Sequence, residues 1–185
     1  MIDPLEPEIK KIVEVASRKG VALDIRLMPD SAHTAEEAAA ALHAELGQIV
    51  KVVLFVAPRP EGRLVPIVCL VSARNQVDPA LLAAVTGEVA IRAAGSREAH
   101  ELTGYSIDAI APFGHGREVR ILMDQDLCAH QWIWVAPGTD SAIFRVTPRT
   151  LRMLSNAVVA PVATASWMTA RRASWNGATT PSPAH

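Results

Sequence analysis

The chain has 185 residues, half of them hydrophobic but only 4% aromatic, and 18 basic side chains face 19 acidic ones for a net charge of −1. That length accommodates one domain with a proper core, which must be built from Ala, Val, Leu and Ile rather than from rings. A charge so near zero excludes a general attraction to nucleic acid, so no DNA partner is expected and any polyanion must be held by a local patch.

The sequence opens without a basic stretch followed by an apolar one, so no signal peptide is expected. No apolar run reaches the roughly 18–20 residues that span a membrane. A soluble, cytoplasmic protein with no membrane partner is the expectation.

In chain order, residues 7–20 carry Ile9, Ile12, Val13 and Ala16 at helical spacing, with Gly20 as the stop. Residues 21–28 alternate apolar and polar side chains as a half-buried strand does. Thr34 then precedes Glu36, Glu37 and an alanine-rich run, which predicts a capped helix reaching Leu46 and ended by Gly47. Residues 49–56 are almost continuously β-branched, the pattern of a strand covered on both faces. A Pro/Gly turn at 58–62 returns the chain as a second strand over 64–71, which makes a hairpin.

Asp78 and Pro79 open a further helix to Val85, and residues 97–102 form another that ends near Gly104. Short strands are expected at 118–123, 131–135 and 142–146, and a last helix at 148–154. The fold class is therefore α/β (mixed): a single domain over residues 1–160, with a mixed, mostly antiparallel sheet surrounded by helices. The segment 161–185, rich in Ala, Ser, Thr and Pro, reads as a flexible C-terminal tail. Within it Trp167, Trp175, Arg171 and Arg172 are either a short docking segment or ordinary disorder.

Lys51 is the most informative residue. Of four lysines three lie in the first helix, and the fourth interrupts the apolar run Ile49-Val50-Lys51-Val52-Val53. An ammonium in a doubly covered strand costs desolvation unless it meets a partner or a wet cavity; an edge strand from which it snorkels is the alternative. The stretch 103–115 brackets apolar positions with small residues, Gly104, Gly114 and Pro112. Such a loop brings backbone N–H groups close to a carbonyl or phosphate, or is simply a structural turn.

Lys10, Lys11, Arg18 and Lys19 make either a small phosphate-binding patch or a solvated helix face. Trp132 and Trp134 share a strand face by period-2 spacing and are expected in the core. Cys69 reads as a small buried thiol. His33, His43, His100 and His130 show no metal-ligand spacing, so neither a metal nor a cofactor is expected.

Five pieces occur in a fixed order: Thr34-Ala35-Glu36-Glu37-Ala38-Ala39, Gln48-Ile49-Val50-Lys51, Ser72-Ala73-Arg74-Asn75-Gln76-Val77-Asp78, the 103–115 stretch, and Pro137-Gly138-Thr139 onward to Phe144. Together they resemble the YbaK/ProX (YbaK/EbsC) family of aminoacyl-tRNA deacylases, which includes the editing domain associated with prolyl-tRNA synthetase. The resemblance implies a hydrolase that removes wrong amino acids from the 3′ end of mischarged tRNA, with an aminoacyl-tRNA synthetase as a possible second partner.

It also implies that Lys51 orients the terminal aminoacyl-adenosine. A Gly-x-x-x-Pro loop would hold the ester carbonyl on its amides, so Asp108, Ala109 and Pro112 are the matching catalytic positions. Thr34, Gly104, Ile110, Ala111, Phe113, Gly114 and His115 are the expected substrate-binding positions. Asp108 stands where the family pattern has glycine, and Ala109 where many relatives have a second one. The alternative reading is therefore a catalytically weakened module of the same fold that binds tRNA or a synthetase.

Overall fold

The computed structural model describes residues 6–165. In chain order they form α1 (Pro7–Arg18), β1 (Ile25–Leu27), α2 (Ala35–Leu42), β2 (Ile49–Pro58), β3 (Leu64–Ser72), β4 (Asn75–Val77), α3 (Pro79–Thr86), β5 (Arg92–Ala93), α4 (Ser96–Thr103), β6 (Arg120–Asp124), β7 (Ile133–Val135), β8 (Ala142–Val146), α5 (Pro148–Ser155), β9 (Val158–Ala160) and β10 (Ala163–Ala165). No helix among the described residues is long and apolar enough to cross a membrane.

The β-branched run becomes the longest strand. β2 pairs antiparallel with β3 from Val50↔Ser72 to Pro58↔Leu64. Around this hairpin an eight-stranded mixed sheet assembles in the order β1-β8-β7-β2-β3-β6-β9, with β5 added to β2. β7 runs parallel to β2, β6 to β3, and β9 to β6. The remaining ladders are antiparallel, and β10 and β4 form a separate antiparallel ribbon.

Period 2 explains why β2 has no polar face. Val50 and Leu54 join Val68, Leu70 and Phe144 in a core closed by α1, α4 and α5 through Ile12, Ala99 and Leu151. Phe55 and Ala57 point the other way, to Cys69, Val71 and Leu82 of α3. A third cluster packs Ala39 of α2 on Ile49, Trp134 and Ile143. Each fully buried aliphatic side chain of this kind contributes about 1.5–3 kcal/mol. Burial pushes the Cys69 thiol up to about 12, with the nearby Asp124 charge adding to the effect, so it behaves as an inert core group.

Several boundaries differ from the sequence expectation. α2 stops at Leu42 rather than Leu46. His43 takes a left-handed conformation (φ 51°), and Ala44 N donates back to Ala39 O at 2.9 Å, which closes the helix end early. The strand expected at 21–28 shortens to β1, because β8 offers it only Ala142, Ile143 and Phe144 as partners. Only Trp134 enters the core. Trp132 precedes β7 and is 37% exposed. β10 lies within the segment read as a tail and is held by β4, while residues 166–185, with Trp167, Arg171, Arg172 and Trp175, lie outside the described residues.

Two contacts position the loops beside the sheet. Gly138 has φ 101°, and a Cβ there would stand 2.7 Å from Tyr105 Cε1 and 3.2 Å from Ala111 Cβ. The turn before β8 therefore packs backbone-close on the 105–111 loop. On the other side of that loop the Lys11 ammonium lies 5.7 Å from the Tyr105 ring centroid, and Tyr105 meets the His115 ring edge-on at 6.0 Å. Neither His115 ring nitrogen reaches solvent or has a hydrogen-bond partner among the described residues. Burial first, and the Lys11 charge second, lower its pKa to about 4, and the Ala111 backbone only partly opposes them.

Replacing Gly138 by alanine adds backbone strain and a side-chain clash. It should cost about 1–3 kcal/mol of stability in urea unfolding and loosen the 105–111 loop. His115 yields a pH test. Its folded-state pKa lies below the ordinary 6.5, so the neutral form stabilises the fold above about pH 6.5. That contribution is lost as pH falls toward 4, by roughly 3 kcal/mol once both states titrate. His115→Phe should flatten the fall of unfolding free energy between pH 7 and 4; an unchanged slope would place the acid sensitivity elsewhere.

Candidate active site

β2 and β7 run side by side only at Ile49↔Trp134 and Val50↔Val135. The chain then turns through Ala136, Pro137 and Gly138 into β8, and the two strands part. β2 gains its next neighbour on that edge only at Phe55↔Ala93. A sheet that splits beyond the carboxyl ends of parallel strands leaves a crevice, the usual place for a ligand in α/β folds. Here the crevice is a cleft of about 400 Å³ entered by the start of α2, the 106–110 turn and the 136–140 turn.

Inside the fork the backbone itself is open. Ile49 O accepts from Ala73 N on the β3 side at 2.8 Å, and Leu54 O accepts from Ala94 N on the opposite side at 3.0 Å. Alternation along the strand therefore turns the Val52 N–H and C=O toward the cleft, where no strand is paired with it.

Lys51 sits at this fork. Its side chain is half-buried and lines the cleft together with Thr34, Asp108, Ala109 and Ile110. It also lines a second cavity of about 620 Å³, whose wall includes Phe55, Val71, Asn75 and Pro79. The ammonium donates to the Asn75 carbonyl at 2.7 Å. Burial lowers its pKa below the ordinary lysine value, and the Glu36 charge opposes the shift.

Asn75, which the sequence places in a resembling piece without assigning it a role, is the residue that orders this site. Its amide nitrogen donates to Asp124 Oδ2 and Asp126 Oδ2, both at 2.7 Å. The side chain thereby fixes the carbonyl that receives Lys51. Burial raises the Asp124 pKa, and the bond from Asn75 works against that rise. The signal available was a polar Arg74-Asn75-Gln76 patch between two strong strands, which by itself looks like any turn.

The 106–110 segment is a tight turn in which Ala109 N donates to Ser106 O at 3.1 Å. That amide is committed to the turn, whereas the amides of Asp108 and Ile110 enter no such backbone bond. Positive φ occurs at Gly104 and Gly114, not at Asp108 or Ala109. The backbone path here does not require glycine, and the exposed Asp108 carboxylate stands at the cleft rim.

Of the other expected substrate-binding positions, Thr34 lines the cleft while capping α2. Its Oγ1 accepts from Glu37 N at 3.1 Å, and Glu37 Oε2 accepts from Thr34 N at 2.9 Å. Ala111 and Phe113 are instead fully buried in the core, Phe113 edge-on to Phe144 at 6.2 Å. Pro112 is buried beside them. Gly104 is the left-handed cap of α4 (φ 79°). Gly114 and His115 border a different cleft, with Lys19 and Arg117. These positions brace the turn rather than line its cavity.

The four basic residues of α1 and its C-cap, Lys10, Lys11, Arg18 and Lys19, do not form one patch. Lys19 donates to Met153 O and Leu154 O at 3.1 and 2.9 Å, so it caps the end of α5. Arg18 pairs with Glu14 at 3.8 Å, and Lys11 lies over Tyr105. Among the described residues no group of three or more His, Cys, Asp or Glu is placed to hold a metal ion.

Comparison with known proteins identifies the family and the fold. The family model "Aminoacyl-tRNA editing domain" matches residues 29–154, from just after β1 to the last turn of α5. A proline--tRNA ligase from Limosilactobacillus fermentum is 30% identical over 96 residues, which make up 52% of this chain but only 17% of that ligase. Among solved structures, one described as a candidate trans-editing enzyme for prolyl tRNA synthetase superposes with a TM-score of 0.77 at 35% identity, covering 86% of this chain and 99% of the other. A scaffold used for computational epitope grafting superposes equally well at 31% identity, covering 86% and 99%. A cleft at a strand fork, a half-buried lysine within it and a turn of backbone amides opposite thus stand in a chain that belongs to the aminoacyl-tRNA editing domain family.

Proposed function

We propose that this protein hydrolyses the ester between a wrong amino acid and the 3′-terminal ribose of tRNA, acting as a separate chain beside the synthetase. The observation that carries the reading is the position of Lys51, a desolvated ammonium held by Asn75 O on the wall shared by the cleft and its neighbouring cavity. Similarity at 35% identity to a candidate trans-editing enzyme for prolyl tRNA synthetase supports action in trans on that synthetase's products.

An aminoacyl ester is already activated, so the site needs orientation and stabilisation of negative charge more than a nucleophile. Water attacks the carbonyl carbon, and the oxygen becomes an oxyanion near the Asp108 and Ile110 amides. The carbon–oxygen bond to the ribose then breaks. The ribose oxygen takes a proton that originates in the attacking water, and the neighbouring ribose hydroxyl relays it. Lys51 holds the terminal aminoacyl-adenosine in register through its remaining N–H donors.

The Asp108 carboxylate has a role that fits its place at the rim. A mischarged amino acid carries a free α-ammonium, and Asp108, with Asp140 across the cleft, offers it an anionic partner. The alternative, a weakened module that binds without turnover, rested on the replacement of glycine at this position. Neither Asp108 nor Ala109 has a positive φ, so the backbone there is compatible with the residues present, and the carboxylate itself is what separates the two readings.

Lys51→Ala should lower kcat/KM for a mischarged tRNA by about a hundredfold or more while leaving urea unfolding near wild type. Hydrolysis unchanged in that variant would sink the proposed site. Asp108→Asn should raise KM about two- to fivefold with little change in kcat, the size expected of a solvent-screened pair. Wild-type protein that binds mischarged tRNA without hydrolysing it, and gains turnover as Asp108→Gly, would establish the binding-module reading instead.

A further inference from the structure

The outer face of β1, β8 and β7 carries a stack that the cleft chemistry does not use. The Arg26 guanidinium lies 5.0 Å from the Trp134 ring centroid. Arg145 lies 5.7 Å from the same ring and 4.7 Å from the Trp132 ring. Planar cations and indoles thus alternate as Arg26, Trp134, Arg145, Trp132. Trp134 is buried at the base, while Arg26, Arg145 and Trp132 are exposed.

The strip is built rather than incidental. Cross-strand pairing places Trp134 opposite Arg145. Gln48 Nε2 donates to Trp132 O at 3.1 Å and fixes the backbone that presents the exposed indole. A Cβ at Gly47 would stand 3.1 Å from His130 Nε2 and 3.3 Å from Arg74 Cδ, so two further basic side chains flank that same turn. Asp24 approaches Arg26 at 3.6 Å, an exposed ion pair that solvent screens.

The strip also adjoins the cleft. Ile143, which lines the cleft, pairs directly with Arg26, and Ile49, which also lines it, pairs with Trp134. Stacking on an indole face leaves the in-plane N–H groups of a guanidinium free for phosphate oxygens. An exposed indole beside such a cation offers a platform for an unpaired base.

We infer that the Arg26–Trp134–Arg145–Trp132 strip binds the single-stranded 3′ end of RNA, stacking a base on Trp132 and holding the adjoining phosphates on the two arginines. The assignment rests on the deacylase reading only for which end of the RNA lies there, with the terminal nucleotide in the cleft. Charge complementarity and the exposed ring favour an unpaired strand over a duplex, whose bases are already stacked.

Binding of a fluorescent acceptor-stem minihelix ending in an unpaired CCA tests this, with a blunt minihelix of the same stem as the comparison. Trp132→Ala should weaken binding of the CCA-ended minihelix about fivefold to a hundredfold. Trp132→Phe, which keeps a ring, should restore most of the loss. Arg145→Ala should weaken binding and reduce the slope of log affinity against log salt by about one. The blunt minihelix should respond little to Trp132→Ala.

Wild-type affinity in both alanine variants would overturn the assignment, as would an equal loss on the blunt stem. So would variants that lose prolyl-tRNA synthetase binding while keeping RNA affinity. Turnover of the mischarged minihelix reports separately: its absence beside Trp132-dependent binding would overturn the deacylase reading and support the strip.

Discussion

A charge can stay inside a strand covered on both faces only where the cover is broken, and the site follows from that constraint. Lys51 lies in a run whose neighbours Val50, Leu54 and Phe55 are all buried. The sheet accommodates it by ending the β2–β7 ladder one residue earlier, at Val50↔Val135. The same parting turns the Val52 main chain toward open space and admits the 106–110 turn, while the ammonium finds its partner in Asn75 O on the other side of the strand. One backbone event therefore supplies the cavity and the amides beside the cation.

The supports of this opening lie on elements far apart in sequence. Gly138 brings one turn against Tyr105 and Ala111, and Asn75 fixes the acceptor for Lys51 from the far end of the β3 hairpin arm. Buried Ala111 and Phe113 hold the turn from behind without touching the cavity. Such a division suits a site that works by position: side chains packed in the core set the geometry, and few groups face the substrate.

Much of this was legible in the sequence where a pattern is long or chemically odd. The β2–β3 hairpin announces itself by continuous β-branching, and the α2 start by its capping residues. A lone lysine in an apolar run is conspicuous for the same reason that burying it is costly. Legibility failed where the deciding fact is a contact. The two- and three-residue strands β4, β5, β9 and β10 are too short to show a period, and β10 exists because β4 offers it an edge. Lys19 looks like a free surface cation until α5 ends beside it. Trp132 looks like a core residue because period 2 predicts a shared face but not where the strand begins. At Asp108 the sequence showed a departure from glycine but not the backbone angle, and the folded turn has no positive φ there.

The partner of Lys51 is a main-chain carbonyl rather than a carboxylate, and this sets the electrical character of the cleft. A carboxylate at hydrogen-bond distance would have neutralised the ammonium and left a dipole with little reach. A carbonyl contributes no net charge, so it directs the positive field without cancelling it. The two acids behind it, Asp124 and Asp126, are turned onto the Asn75 amide. The Lys51 ammonium thus stays a cation with no carboxylate at hydrogen-bond distance among the described residues, set between the acids turned onto Asn75 and the Asp108 and Asp140 carboxylates of the cleft.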